Sequence, residues 1–307
     1  MIRNFDDMIA RAAAMPVKKT VSIANGADEK LLHLADELIR RDLCRIIISG
    51  DAAKIRAMAA ELGADLSAAE IIDEPDEQQA ALRAVEAVSS GRAQVYVKGM
   101  MNTSDFLRSV LNKEVGLRTG DKLSVLTCYD VPGQKKLFFL SDGGMTVLPT
   151  LEEKAAILRN SVQILNNMGI EEPKVAILSS NEKVSEKIPS TVDAKALCDM
   201  AAEGKLPKGI YEGPIAFDVA MRPEAAREKK IESRVSGDVD LFLVPNIETG
   251  NCMGKAIGYF GGGDTAGIVT GAASPVVMSS RSASLKGKLA SVAWALLACG
   301  NKEEKEG

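Results

Sequence analysis

Four short segments hold the residues with the means to do chemistry. Ser279-Ser280-Arg281-Ser282-Ala283-Ser284 sets hydroxyls and one guanidinium between an apolar run and a helical pattern. A planar guanidinium grips two phosphate oxygens at once, and hydroxyls at a helix start add donors. N-capping by Ser282 or Ser284 accounts for the serines but leaves Arg281 unexplained. Lys98-Gly99-Met100-Met101-Asn102-Thr103-Ser104 ends a second apolar run and opens a helix whose polar face carries Arg108. Lys98 and Arg108 either face one anion or are two solvated charges. Pro245-Asn246-Ile247-Glu248-Thr249-Gly250-Asn251 also follows an apolar run. Thr249 or Asn251 is expected to cap a helix there, with Lys255 on its first turns. That arrangement suits a phosphate, and an ordinary cap is the plainer reading. In Ser141-Asp142-Gly143-Gly144, Asp142 is placed either to orient a polar group or simply to make a turn.

Several chemistries are disfavoured. Gly250-Asn251-Cys252-Met253-Gly254-Lys255-Ala256 looks like a nucleotide-binding P-loop but has the wrong glycine spacing, and Ala256 stands where a magnesium-binding hydroxyl is needed. Gly261-Gly262-Gly263 does not complete a dinucleotide fingerprint. One histidine, His33, leaves little room for a histidine metal site or a Ser-His-Asp triad. Five scattered cysteines without a Cys-x-x-Cys pair read as reduced thiols of a cytoplasmic protein. Cys252 has no histidine near it in sequence to serve as its base. A net charge of −4 and 4% aromatic residues argue against a nucleic-acid partner. Asp6 and Asp7 interrupt the N-terminus where a signal peptide needs an apolar run. No stretch is long and apolar enough to suggest a membrane span.

The elements that must position these segments alternate. Strands are predicted at residues 20–24, 45–49, 70–73, 94–97, 123–128, 137–140, 175–178, 241–244, 268–270 and 276–278. Helical periodicity is clearest at 28–41, 52–62, 77–88, 151–167, 195–203 and 285–298. Strands separated by helices predict an α/β chain of 307 residues with a largely parallel sheet and helices on both faces. Pro132-Gly133 between two predicted strands marks a hairpin, hence a mixed sheet and a candidate domain border. The polar clusters fall mostly after strands, the edge where open α/β sheets bind ligands.

Taken together the segments resemble the phosphate acetyl/butyryl transferase family, its butyryl-type members most closely. The resemblance rests on Lys98-Gly99-Met100-Met101-Asn102-Thr103 with Arg108, on Ser141-Asp142-Gly143-Gly144-Met145, on Val244-Pro245-Asn246-Ile247-Glu248-Thr249-Gly250-Asn251 with Lys255, and on the run from Gly271 through Pro275 to Ser280-Arg281. It implies the reversible reaction of acyl-CoA and phosphate to acyl phosphate and CoA, on butyryl or another short chain, by direct thiolate attack without an acyl-enzyme. It also implies the two-domain fold of the isocitrate and isopropylmalate dehydrogenases. The first domain would be residues 1–121 and 268–307, the inserted one 122–267, with substrates in the cleft between them. A homodimer is implied, with no metal and no cofactor beyond coenzyme A as substrate. By the same resemblance Ser280, Arg281 and Arg108 are catalytic. Lys98, Asn102, Thr103, Asp142, Asn246, Glu248, Gly250, Asn251 and Lys255 bind CoA or phosphate.

One position departs from the family pattern. Acetyl-type members carry an aspartate a few residues after Ser-Arg, proposed as the base for CoA, and butyryl-type members often read Ser-Arg-Ala-Asp-Ser. Here Ser282-Ala283-Ser284-Leu285-Lys286 offers no carboxylate. Either Glu248 or Asp142 supplies the base, or positive potential alone activates a thiol of pKa about 8.5, or the substrate has drifted. Two other readings stay open: a non-catalytic CoA or acyl-phosphate binder, and a metal- and nicotinamide-dependent decarboxylating dehydrogenase of the same fold.

Overall fold

The computed structural model describes residues 2–279 and 283–299. The chain divides into two compact units, one of Ile2–Asp121 with the chain from Ala266 onward, the other of Lys122–Thr265. The first unit begins with α1 (Phe5–Ala13), β1 (Thr20–Ile23), α2 (Glu29–Arg40), β2 (Arg45–Gly50), α3 (Ala52–Leu62), β3 (Ala69–Asp73), α4 (Glu77–Ser89), β4 (Val95–Val97) and α5 (Thr103–Val110). The inserted unit follows with β5 (Ser124–Asp130), β6 (Phe138–Ser141), α6 (Leu151–Asn167), β7 (Lys174–Leu178), α7 (Pro189–Ala202), β8 (Ile210–Ile215), α8 (Phe217–Met221), α9 (Pro223–Glu228), β9 (Leu241–Leu243) and α10 (Ile247–Gly261). The chain returns to the first unit within β10 (Asp264–Thr270) and ends with β11 (Val276–Val277) and α11 (Leu285–Ala298).

In the first unit the strands run β3-β2-β1-β4-β11-β10, and in the inserted unit β5-β6-β9-β7-β8. Pairing is parallel between β1 and β2, β1 and β4, β2 and β3, β4 and β11, β6 and β9, β7 and β9, and β7 and β8. It is antiparallel at the β5–β6 hairpin and between β10 and β11. This is the mixed α/β architecture that alternating strand and helix patterns predict. Strands buried on both faces read as near-continuous apolar runs. Ile46, Ile47 and Ile48 in β2 and Leu241, Phe242 and Leu243 in β9 are buried accordingly.

Some predicted boundaries move. The helix predicted at 195–203 starts at Pro189, which takes an N-terminal helical position where its missing N–H costs nothing. The sequence pattern does not predict β8, because Gly213-Pro214 breaks its apolar alternation. Nor does the pattern predict the short α8 and α9 or the N-terminal α1, although Asn4 caps α1 by accepting the Asp7 N–H.

Candidate functional site

In the inserted unit, parallel pairing of β6 with β9 sets Ser141 opposite Leu243. The loops leaving these two strands therefore start side by side at the carboxyl edge of the sheet. The Val244 N–H donates to the Ser141 carbonyl at 2.9 Å and the Ile247 N–H to the Val147 carbonyl at 3.0 Å, so the two loops run joined.

Asp142 holds the first of them. It is only 3% exposed. Its Oδ1 accepts the N–H groups of Gly144 at 2.8 Å and Met145 at 3.0 Å, and its Oδ2 that of Thr146 at 3.0 Å. A carboxylate is acceptor-only and has lone pairs enough for all three. Of the two readings of this residue, turn-making is the one the geometry carries. Asp142 positions the loop, with both oxygens engaged by backbone amides.

The second loop is capped by Asn246. Its Oδ1 accepts the Thr249 N–H at 2.9 Å and the Thr249 hydroxyl at 2.7 Å, which starts α10 at Ile247. The cap expected at Thr249 or Asn251 thus moves upstream, because Asn246 is the residue held in extended conformation with its side chain three residues ahead of a free N–H. As a result Lys255 sits in the third turn, about 12 Å from the helix start at ~1.5 Å per residue, and is exposed. Glu248 is exposed and occupies the first turn, where its charge already meets the positive helix end. Both displacements favour the plain cap over an anion site at this helix. Replacing Asn246 by Ala is expected to lower stability by about 1 kcal/mol, read as a shifted denaturant midpoint at unchanged slope.

Loop and helix meet at two glycines. A Cβ on Gly250 would lie 2.6 Å from the Gly143 Cα and 3.0 Å from the Asp142 carbonyl oxygen. A Cβ on Gly143 would lie 3.0 Å from the Gly250 carbonyl carbon. Only glycine at both positions lets the backbones touch. Asn251 closes the contact, its Nδ2 donating to the Gly143 carbonyl at 3.3 Å.

In the first unit, Lys98 follows β4. Its ammonium donates to the carbonyls of Gly99 at 3.3 Å and Met101 at 2.5 Å, folding the turn that leads into α5. A Cβ on Gly99 would coincide with the Ala24 carbonyl oxygen, so this turn lies directly on the loop after β1. The Met100 N–H donates to the Asn25 carbonyl at 3.1 Å. Asn25 is buried at φ 50° and its Nδ2 donates to the Glu77 carbonyl at 2.9 Å. The pair Asn25-Gly26 after a strand was the available signal for this loop, since Asn tolerates positive φ.

Asn102 stands at the N-cap of α5 with its carboxamide free of capping, and both it and Thr103 are exposed. Tyr96 anchors the helix from below: its hydroxyl lies 2.9 Å from the Ser109 hydroxyl and its ring stacks on Phe106 at 4.6 Å. Arg108 is exposed and pairs with Asp105 at 2.6 Å. An anion must compete with Asp105 for it.

The Lys98 N–H donates to the Val277 carbonyl at 3.0 Å, and β11 lies in register with β4 at Val277 and Val97. The Ser280-Arg281 pair follows β11 in sequence and lies outside the described residues, as does Ser282. Of the two serines considered as the cap of the last helix, Ser284 does so, its Oγ accepting the Gly287 N–H at 2.9 Å. The structure therefore brings together Asp142, Asn246, Gly250 and Asn251 in one unit, and Lys98, Asn102, Thr103 and Arg108 in the other. All five cysteines are free. Among the described residues no group of three or more His, Cys, Asp or Glu is placed to hold a metal ion, and no helix is long and apolar enough to cross a membrane.

The family model described as Phosphate acetyl/butaryl transferase matches residues 5–82 and 74–296. The phosphate butyryltransferase of Clostridium acetobutylicum is 40% identical over 302 residues, 98% of this chain and 100% of its own. The phosphate acetyltransferase of Rhizobium meliloti is 40% identical over 294 residues, 96% of this chain and 93% of its own. The crystal structure of a branched-chain phosphotransacylase from Enterococcus faecalis V583 superposes with a TM-score of 0.81 at 29% identity, covering 92% of this chain and 99% of that one. These matches span every segment singled out above, and the chain belongs to the phosphate acetyl/butyryl transferase family of acyltransferases.

Proposed function

We propose that the protein interconverts acyl-CoA plus phosphate with acyl phosphate plus CoA, on butyryl or another short acyl chain. The full-length identity to a phosphate butyryltransferase carries this reading. In the direction of acyl-CoA synthesis, the CoA thiolate attacks the carbonyl carbon of the acyl phosphate. A C–S bond forms, the carbonyl C–O bond to phosphorus breaks, and phosphate leaves with the electron pair. Arg281 binds the phosphoryl oxygens through its fork, and Ser280 donates to the oxyanion or thiolate. Arg108 exchanges Asp105 for substrate phosphate. Asn102 and Thr103 offer exposed donors at the start of α5, and Lys98 shapes the turn that presents them. Asn246 and Asp142 act by holding the loop and helix that carry Gly250, Asn251, Glu248 and Lys255.

Direct attack needs no acyl-enzyme and no resident cofactor. The thiol proton goes to solvent or phosphate, because Asp142 is engaged by backbone amides and no carboxylate follows Arg281 before the C-terminal tail. The domain arrangement supported by the discontinuous first unit is that of the isocitrate and isopropylmalate dehydrogenases. A homodimer in the cytoplasm completes the reading, favoured by five free thiols and by Tyr259 and Phe260, each 85% exposed on α10.

Free thiol released from acetyl- to valeryl-CoA in the presence of phosphate tests the reaction. Release is expected with a maximum near the four-carbon chain. Absence of release across the whole series, with CoA still bound, rejects catalysis and leaves a binding protein.

A further inference from the structure

The inserted unit carries a cleft of about 680 Å³ along β8, the edge strand of its sheet. That volume falls within the ~300–1,000 Å³ of small-molecule sites. Three segments wall it: residues 181–183 after β7, residues 212–215 of β8, and residues 229–234 after α9. Four lining side chains are cations, Lys183, Lys229, Lys230 and Arg234, on a chain whose net charge is −4.

These charges are unevenly engaged. Lys229 is held by Glu182 at 3.0 Å and by Asp218 at 3.1 Å. Glu212 accepts the Arg234 N–H at 2.8 Å, which pins the third segment onto β8. The Arg234 guanidinium donates to the Tyr211 carbonyl at 3.4 Å and keeps further N–H donors for a ligand. Lys183 and Lys230 are exposed, and among the described residues neither ammonium has an ion pair or a hydrogen bond.

The backbone of Lys230 is the independent sign. This residue follows the last turn of α9 at φ 55°. Left-handed backbone crowds a Cβ, so a helix that ends this way prefers glycine. Elsewhere in this chain glycine takes that place: Gly63 after α3, Gly91 after α4, Gly169 after α6, Gly204 after α7 and Gly262 after α10. After α2 it is Asp42, a residue type that tolerates the conformation and is paired with Lys18 at 3.3 Å. Neither reason applies to Lys230. Holding a lysine there costs stability, as residues kept for a ligand do.

We propose that this cleft binds an adenine nucleotide, with its phosphates against Lys183, Lys230 and Arg234. A planar fork and two mobile ammonium groups match phosphate oxygens. Pro214 and Ile231 are half-buried and line the cleft, giving a flat base an apolar wall. Glu232 also lines it and has no partner among the described residues, so it is an acceptor for the exocyclic amine of adenine. Two sources share this chemistry: a free nucleoside polyphosphate acting as an effector, and the nucleotide end of CoA. Only the second rests on the acyltransferase reading.

Calorimetric titration of the full chain with ATP, ITP and CoA tests the site, with thiol release assayed in parallel. Wild type is expected to bind ATP more tightly than ITP, which lacks the amine. Lys230→Gly is expected to unfold no lower than wild type, since glycine relaxes the left-handed backbone, and to bind ATP at least tenfold more weakly. Lys230→Arg should keep most of the affinity. A loss shared by CoA, with a raised KM for CoA, identifies the nucleotide end of the substrate. A loss with ATP alone identifies a free nucleotide. Should Lys230→Gly not fold, Lys183→Ala takes its place. No ATP binding by wild type, equal binding of ATP and ITP, or unchanged ATP affinity in the folded variant overturns the proposal. If wild type binds ATP through Lys230 and releases no thiol, the acyltransferase reading falls and the site stands. If thiol is released and Lys230→Gly alters neither KM nor ATP affinity, the site falls alone.

Discussion

Arg281→Ala is expected to slow CoA release by about 10²–10³-fold, the cost of one preorganised donor at a developing charge. The reasoning is chemical. Phosphate and acyl phosphate are anions, and a chain of net charge −4 must meet them with local cations. Arg108 is held by Asp105, and Lys98 by backbone carbonyls. Arg281 follows β11, two strands' width from β1, where the loop carrying Asn25 begins. Its fork matches two phosphoryl oxygens, a geometry lysine cannot reproduce, so Arg281→Lys should recover only part of the rate. Circular dichroism and the thermal transition should match wild type, which separates lost chemistry from lost fold. A folded Arg281→Ala enzyme of full activity removes this residue from the site.

Asp142→Ala is the second large effect, and it acts through structure. Three backbone N–H groups, of Gly144, Met145 and Thr146, would lose their acceptor, and of these residues Thr146 is buried, Met145 half-buried and Gly144 exposed. A buried donor left unsatisfied costs roughly 1–3 kcal/mol, so a loss of about that size is expected, carried mostly by the Thr146 amide. Asp142→Asn keeps the shape and one acceptor oxygen and should lose less. Urea unfolding of the two variants measures the difference. If Asp142→Ala unfolds at the wild-type midpoint, the carboxylate is not what holds the loop. A fall in turnover larger in Ala than in Asn, tracking stability, marks a positioning role. A base would lose its function equally in both.

Much of the fold is legible because apolar runs such as Arg45–Gly50 and Leu241–Leu243 have no competing local pattern. A cap is legible where the side chain adjoins the periodic stretch, as Ser284 does at the last helix. It is misplaced at α10, where Asn246, Thr249 and Asn251 are all credible caps and only the backbone angle of Asn246 decides. β8 was hidden by Gly213-Pro214, which carries turn chemistry inside a strand. In the candidate site, residue types were readable and allegiances were not. Nothing in Ser-Asp-Gly-Gly says that the carboxylate turns inward to three amides, and nothing around Arg108 says that Asp105 holds it.

The contact of Gly143 with Gly250 has a mechanical corollary. With no side chain between them to bend or change rotamer, the two backbones have no cushion. A displacement of the 142–146 loop is passed whole to the opening turn of α10, and a ligand that pulls on Asn251 pulls on Asp142 as well. Opening of either segment therefore belongs to a single cooperative event, and the pair behaves as one rigid lever.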